Sequence, residues 1–540
     1  MADVGVAETT TDNAGPFLES RLGISTVLLV CFLFIAGMKG LTYHEPVRGD
    51  PAIYAVSAHE LLKGRRLYAD LWDHKPPAIH VTYALGELVA GYGQQQLYLL
   101  LMTALTMTLI GLYRAGAMLG GPRAGLYAAV IWALGSIFPH WEGYQPQTEA
   151  FVDAFLVWGF CFAYRLNTKP GWLPACAFGA AIGIASLYKQ VVIAPAGLIG
   201  IAYILGSGPG MRSRWIALRY MLVAGAVSLA MWAACLAWFW SQGTFAEFYD
   251  AVFVYNRHYA GNMVANVIEG CRGHKSYLLE LALPCLLVPF AAPRLEPPQR
   301  TGWFMIAAWS LGCLIAYAMT GRWQEYQLEI WMPVYALAGG AILAGLVSGL
   351  IERPRIWRWA LLAMVLAPLA NRAMHRHQYG DAPWSVYDIG GPEYQLRYTS
   401  RDAALAVNKI LLPGETMYAL GVPGESCAVH FQTRQSPPSG VFFDFPLQPG
   451  RPPAAKLEDR IIRDLDRNPP DLIVLSTARF LPLLDGTRSD WAQRLIAWVS
   501  AHYSRRGFDP TGRFLFFARR GSAVEQRLAD TEKPDAKLAP

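Results

Sequence analysis

The sequence predicts a polytopic α-helical membrane protein of about eleven spans, followed by a small C-terminal α/β domain. Three observations carry this reading. Only 16% of the 540 residues are charged, against about 25% in a typical soluble protein, and 54% are apolar. Apolar runs of near-membrane length recur from residue 22 to residue 371. After about Asn371 the pattern changes to short apolar strands alternating with charged helical stretches. A disordered chain, a collagen-like chain and an ordinary soluble enzyme are excluded. The length also exceeds the ~250–300 residues at which a single core stops growing.

Residues 1–20 are polar and acidic, lack the basic start of a signal peptide, and read as a disordered cytoplasmic tail. Leu22–Thr42 is the first full-length apolar run and is expected to stay as an anchor. Further runs lie at 95–118, 122–139, 149–166, 172–187, 190–207, 217–240, 276–293, 302–320, 328–350 and 356–371. Several are short and rich in Gly, Ala and Pro, as packed membrane helices are.

The segment Pro77–Gly91 is apolar but only fifteen residues long, and it carries His80 and Glu87. The positive-inside rule decides its place. If it stays out of the bilayer and the N-terminus is inside, the inner loops carry twelve Lys and Arg, from Arg114 to Arg358. The short outer loops then carry only Lys189 and Arg322. Counting it as a span reverses the bias for every later loop. It is therefore expected to be an amphipathic interfacial helix on the outer surface. The same parity puts 43–76, 140–148, 241–275 and the C-terminal part outside the cytoplasm. The implied organisation is a membrane domain over 21–371, with 43–94 as its first outer loop. An extracytoplasmic α/β domain follows over 372–520, then a disordered tail over 521–540.

Within the C-terminal part, spacing predicts a helix over Arg401–Leu412 and a strand over Met417–Val422. A helix over Lys456–Arg467 and a buried strand over Asp471–Ser476 come next, then a helix at 488–504 and a strand over Phe514–Ala518. Alternating strands and helices favour a partly parallel sheet. No glycine-rich phosphate-binding pattern lies at the strand ends, so no catalysis is assigned to this part.

Net charge is only +6 and is spread along the chain, with no basic block interleaved with aromatics, which argues against a nucleic-acid partner. Cys31, Cys161, Cys176, Cys235, Cys285 and Cys313 lie in apolar runs and read as small packing residues. Cys271 and Cys427 fall in polar segments, but two candidates make no disulfide framework. No cofactor is implied. Glu and His abound in the outer loops without a metal-ligand spacing, which leaves a divalent ion open.

The chemistry concentrates in residues 43–77, YHEPVRGDPAIYAVSAHELLKGRRLYADLWDHKPP, a first outer loop far more polar than a connector needs. Asp50-Pro51 has the form of an N-cap followed by Pro at the first helical position, opening a helix to Leu62 that stops at Gly64. Capping is thus the plain reading of Asp50, and Asp70 and Asp73 read equally as solvated turn residues. Glu149 and Asp153 are four apart at the head of a span, so they share a helix face. Carboxylates inside a membrane segment are costly and are functional candidates by default. The plain alternatives are helix–helix hydrogen bonds or, for Glu149, a favourable charge at a helix N-terminus.

As a set, these residues resemble the GT-C superfamily of membrane glycosyltransferases. The resemblance is to the bacterial branch related to protein O-mannosyltransferases and the lipid A aminoarabinose transferase. Asp50 and Tyr54 match its opening acid and tyrosine, and Gly64, Tyr68 and Asp70 match the turn that follows. Asp73, His74, Lys75, Pro76 and Pro77 match its (H/K)PP motif. Glu149, Lys189 within GIASLYKQVVIAP, and the segments FYDAVFVYNRHY (248–259) and GRWQEYQLEIWMP (321–333) fit later positions. The matches cover about 43–335. Pro51 departs from the pattern, because many relatives carry a second acid there; Glu45 is the nearest substitute.

The resemblance implies a multi-pass protein of the bacterial cytoplasmic membrane. Its donor would be a polyprenyl-phosphate-linked sugar and its acceptor a hydroxyl of an envelope glycolipid, glycan or protein, attacked with inversion at the outer face. The leaving phosphate departs as an anion, so a positive clamp helps more than a general acid. Lys75 is the first candidate for that clamp, with Lys189 and Arg257 behind it. The acceptor hydroxyl needs a carboxylate base, and Asp50 is the candidate. Tyr54, Asp73, His74, Glu149, Asp153, Glu325 and Tyr326 are candidates for substrate binding, while His258 is expected to be peripheral. Two other readings stay open: a polytopic transporter, and a relative that binds lipid-linked glycan without catalysis. Transporters place ionisable or helix-breaking residues in the middle of paired spans, whereas here the polar residues collect at the outer ends.

Overall fold

The computed structural model describes residues 18–531 except 45, 48, 138–144, 209, 274, 292–295, 322–324, 350, 352–353, 376–391, 449–450 and 452. Every predicted apolar run contains a helix. The first, α1 (Arg21–Leu41), is capped by Ser20, whose hydroxyl accepts from the Gly23 N–H. The segment after α1 then forms α2 (Asp50–Leu62) and α3 (Ala78–Ala90). Next comes α4 (Gln94–Gly135), which bends at Gly120–Gly121 into two arms that match the runs predicted at 95–118 and 122–139. Gly121 takes φ +82°, open to glycine at no steric cost, and Pro122 starts the second arm where its missing N–H is not needed.

The chain continues through α5 (Thr148–Thr168), α6 (Trp172–Tyr188), α7 (Ile193–Gly206) and α8 (Met211–Ser241). Short α9 (Phe245–Tyr249) leads through a π-helical turn, Asp250–Tyr255, into α10 (Asn256–Ala260) and α11 (Met263–Gly273). After α12 (Lys275–Ala291) and α13 (Pro297–Thr320), a 3₁₀ segment, Glu325–Trp331, feeds α14 (Met332–Val347) and α15 (Arg355–His375).

Among the described residues, five helical stretches are long and apolar enough to cross a membrane: α1, α4, α8, α13 and Tyr326–Val347. Helices α3 and α6 and the stretches Gln190–Gly206 and Leu278–Pro289 are apolar but shorter. The main packing partners are α4 with α14, α7 with α13, α5 with α6 and α6 with α8. Close approach depends on small residues: a Cβ at Gly312 in α13 would sit 2.2 Å from the Pro195 Cα of α7. Helix α3 buries Ile79, His80, Tyr83 and Gly86 and leaves Val81, Leu85, Leu88 and Val89 exposed, a two-faced helix of the kind expected at an interface.

The C-terminal part runs α16 (Pro392–Ile410), β1 (Met417–Leu420), α17 (Pro423–Thr433), α18 (Ala454–Arg467) and β2 (Leu472–Ser476). It ends with α19 (Thr477–Leu484), α20 (Gln493–His502), β3 (Tyr503–Phe508), β4 (Phe514–Arg519) and α21 (Ala523–Thr531). The four strands form one small sheet in the order β1-β2-β4-β3. Strands β1 and β2 are parallel, with Met417 opposite Leu472, and the other pairs are antiparallel. Alternate residues divide the sheet's two faces. Met417, Ala419, Leu472, Val474, Phe514 and Phe516 pack with Ala403, Val407 and Val524, whereas Tyr418, Leu420, Ile473, Leu475 and Phe517 belong to the continuous core that runs into the membrane helices.

Two expectations are corrected here. The helix predicted at 488–504 stops at His502, and the next six residues form the edge strand β3, with an irregularity between Arg505 and Phe508. Its consecutive arginines suit an exposed sheet edge and hide the strand pattern. The tail after Gly521 was expected to be disordered, but α21 forms within it and buries Val524 against the sheet; 532–540 lie outside the described residues.

The segment that carries α2 and the turn after it is wedged between the long apolar helices and the sheet. The Trp72 N–H donates to the Gly440 carbonyl at 2.9 Å, and the Trp72 ring lies 5.6 Å from that of Phe443. A Cβ at Gly440 would clash with the Asp70 carbonyl at 1.7 Å, so only glycine permits this contact.

Candidate active site

The chain enters α2 through Gly49, whose φ of +66° favours glycine. Gly49, not Asp50, therefore holds the cap position, and Asp50 makes no side-chain capping bond. This overturns the capping reading. The Asp50 carboxylate is instead free to face Lys75, with Oδ2 3.2 Å from Lys75 Nζ. Tyr54, one turn along the same helix face, donates its hydroxyl to the same oxygen at 3.2 Å. Both contacts use Oδ2, so among the described residues Oδ1 has no hydrogen-bond partner.

Lys75 stands on a turn pinned from four sides. Asp73 Oδ1 accepts from the N–H groups of His74 (2.6 Å) and Lys75 (3.4 Å). Asp73 Oδ2 lies 2.8 Å from His80 Nε2 of α3. Tyr68 donates to the Lys75 carbonyl at 2.7 Å, and the Asn256 amide donates to the His74 carbonyl at 2.8 Å. The solvated-turn reading is thus wrong for Asp73, which is buried and organises the turn. It holds for Asp70, which pairs with Arg66 and accepts from its backbone N–H.

Burial alone would lower the Lys75 ammonium, but Asp50, followed by Glu149, outweighs it and holds the group above its ordinary value. Burial would raise Asp73, but hydrogen bonds from His74 and His80 win and hold it well below the carboxylate range. His74 is pushed down by burial despite Asp73 beside it, so its ring is neutral at neutral pH.

A second ion pair adjoins the first. Lys189, in extended backbone at the end of α6, donates to Glu149 Oε1 at 2.5 Å, and Thr148 donates to the other carboxylate oxygen at 2.7 Å. Lys75 interacts electrostatically with both Asp50 and Glu149, and Lys189 with both Glu149 and Asp50. Two cations and two carboxylates thus form one cluster at the junction of α2, α5, α6 and the pinned turn.

Of the remaining candidates, Tyr326 is half-buried and acts electrostatically on Tyr54. Asp153, one turn below Glu149, is buried with both oxygens lacking a hydrogen bond; its electrostatic neighbours are Glu329 and Glu149. Arg257 and His258 are exposed on α10, outside the cluster. The Glu325 side chain lies outside the described residues, as do Glu45 and Arg322. Four further residues were not singled out, although Asn256, Tyr259 and Glu329 fall within the segments 248–259 and 321–333 named above. Asn256 holds the His74 carbonyl, Tyr259 lies 5.4 Å from the His74 ring, and Lys39 and Glu329 are buried in the core. Lys39 donates to the Ser136 carbonyl at 2.6 Å. The available signal for Lys39 and Glu329 was a charge inside an apolar run.

Cys271 and Cys427 are unpaired. Among the described residues, no three His, Cys, Asp or Glu side chains converge as metal ligands would.

Residues 74–238 match the family of dolichyl-phosphate-mannose-protein mannosyltransferases. No curated protein matches the chain. Among solved structures, ArnT from Cupriavidus metallidurans bound to undecaprenyl phosphate is similar over 93% of this chain and 99% of its own, with a TM-score of 0.55 and 16% identity. The archaeal oligosaccharyltransferase AglB from Archaeoglobus fulgidus, in complex with an inhibitory peptide and a dolichol-phosphate, covers 92% of this chain and 74% of its own. Its TM-score is 0.52 at 13% identity. With its long apolar helices, the chain is a multi-pass membrane protein. It has the fold of the GT-C membrane glycosyltransferases and resembles, among them, the branch of the protein O-mannosyltransferases and the aminoarabinose transferase.

Proposed function

We propose that this chain is an inverting glycosyltransferase that moves a sugar from a polyprenyl-phosphate donor to a hydroxyl of a cell-envelope acceptor at the outer membrane face. The observation that carries the reading is the 3.2 Å contact between Asp50 and Lys75, which brings a carboxylate and a cation together on a rigid turn. The acceptor oxygen attacks the anomeric carbon while Asp50 Oδ1 takes its proton. The bond from that carbon to the phosphate oxygen breaks, and its electron pair leaves on the lipid phosphate. Lys75, kept protonated by its two carboxylate neighbours, stabilises the charge developing there. Lys189 adds a second positive centre, shared with Glu149. Tyr54 orients the base, and His74 and Tyr326 are the candidates for contacting the substrates. A pinned turn suits this chemistry, because holding base and clamp in place supplies much of the rate.

The proposed topology is eleven spans, with the two arms of α4 counted separately, and α3 lying in the outer interface. The N-terminus is then cytoplasmic, and the domain over 372–520 lies outside the cytoplasm of a bacterial inner-membrane protein. Pro51 leaves Asp50 as the single acid at the start of α2, which is sufficient for this mechanism.

The test combines the purified chain in lipid, a polyprenyl-phosphate sugar, and envelope glycan from cells lacking the chain. Release of polyprenyl phosphate coupled to a mass increase in the glycan supports the reading. No release, with an unchanged glycan profile in the deletion strain, overturns it.

A further inference from the structure

A cavity of about 890 Å³ lies away from the ion-pair cluster, on the other flank of the segment that carries α2 and the turn after it. One wall is the end of α2 and the turn after it, with Glu60, Arg65 and Asp70; the other is α18, which presents Arg460, Arg463 and Arg467. These arginines are spaced i, i+3 and i+7, so they form one stripe along the helix. The opposite face of α18 buries Leu457, Ile461 and Leu465.

The acids in the wall are already engaged. Glu60 pairs with Lys63 and Arg65, both at 3.2 Å, and accepts from the Ser436 hydroxyl. Asp70 pairs with Arg66 at 3.1 Å. Asp464 accepts from the Ser439 hydroxyl at 2.8 Å and lies 3.7 Å from Arg460. Arg463 and Arg467 have no acidic partner among the described residues, and both are exposed to the cavity. A cation in the last turn favours the helix dipole, which accounts for Arg467 by itself but not for a stripe aimed into a cavity.

We propose that this cleft binds the phosphate group of a phosphorylated saccharide. Two unneutralised guanidinium groups match the two charges of a phosphate monoester, and their forked donors fit its oxygens. The polar, open wall suits sugar hydroxyls and offers little to an apolar ligand. Asp50 and Glu60 stand at opposite ends of α2, about 15 Å apart at ~1.5 Å per residue. That distance is within the length of a saccharide of a few residues, so one anchored here by its phosphate is long enough to reach towards Asp50. The assignment of the ligand as acceptor rests on the transferase reading; the binding itself does not.

The experiment measures binding to the full chain in nanodiscs without any donor, so it stands apart from whether transfer occurs. Three probes are compared: a phosphorylated trisaccharide, the same trisaccharide without phosphate, and inorganic phosphate. The phosphorylated probe is expected to bind at least about tenfold more tightly than either other probe, with affinity falling as salt rises. Arg463→Ala/Arg467→Ala is expected to remove at least about tenfold of that affinity, which is roughly 1.4 kcal/mol. The Arg463→Lys/Arg467→Lys variant keeps the charge and the fold but loses the forked donors, and is expected to fall between the two. Equal affinity in wild type and both variants overturns the proposal. Inorganic phosphate binding as tightly as the phosphorylated saccharide also overturns it, leaving a simple anion site.

Discussion

Asp73 and His80, both buried, meet at 2.8 Å between carboxylate and imidazole Nε2, and this contact ties the turn bearing Lys75 to α3. The carboxylate's other oxygen holds the backbone of His74 and Lys75, so a single side chain links helix position to the direction of the lysine. Asp73→Asn keeps an acceptor for the turn but loses the charge facing His80. The expected cost is about 1–3 kcal/mol of stability. The expected loss in turnover is larger than that of stability, because misplacing a reacting group by about 1 Å costs on the order of a hundredfold. Melting temperature and kcat measured on one preparation check this; a stability loss with normal kcat would limit Asp73 to scaffolding.

On the proposed mechanism, Asp50 and Lys75 would carry separate halves of the chemistry. Asp50→Asn is expected to lower kcat by about 10²–10⁴-fold, the usual worth of a general base. Abundance and melting temperature should fall less than for Glu149→Gln, since Asp50 is a quarter exposed and Glu149 still faces Lys75. Lys75→Ala is expected to cost about 10²–10³-fold, as loss of a charge-stabilising donor does, and Lys75→Arg should restore part of it. Transfer by Asp50→Asn at the wild-type rate excludes Asp50 as the base.

Glu149 and Lys189 are largely buried together. Removing one partner of such a pair strands a charge and costs about 3–5 kcal/mol, whereas replacing both with uncharged groups is far milder. Glu149→Gln is thus expected to reduce folded protein in the membrane sharply. Glu149→Gln/Lys189→Met should recover much of it without recovering transfer. Equal abundance of the single and double variants would show that the pair is not held in the way its geometry indicates.

Asp444, buried beside Gly421 at the end of β1, is pushed up to about 7 by burial, against the opposing effect of Arg479 2.9 Å away. Unfolding returns it to its ordinary value near 4. Between those values the folded chain binds the extra proton, so this residue's contribution makes stability fall as pH rises from about 4 to 7. Asp444→Asn should flatten that slope and raise the melting temperature at pH 7.5 relative to pH 5. An unchanged difference between the two pH values would show that Arg479 keeps the carboxylate ionised.

The sequence alone determined the positions of the membrane helices, because a backbone in lipid satisfies its own polar groups only as helix, and long apolar runs leave no other choice. Residue order and resemblance also singled out Asp50, Lys75, Glu149 and Lys189 as candidates, four side chains that the structure brings together. The sequence did not reveal β3, whose arginines at an edge strand lack an apolar pattern. Hydropathy and periodicity are local properties, readable within a few helical turns. Which side chains meet depends on contacts between distant segments: Gly49 turning Asp50 away from its helix cap, Asp73 and His80 fixing the turn, Asn256 reaching across from α10. Packing likewise left Arg257 at the surface and opened the arginine-lined cleft against the C-terminal sheet unit. Only the tertiary structure could decide these, because each depends on the summed close packing of many elements rather than on any one stretch of chain.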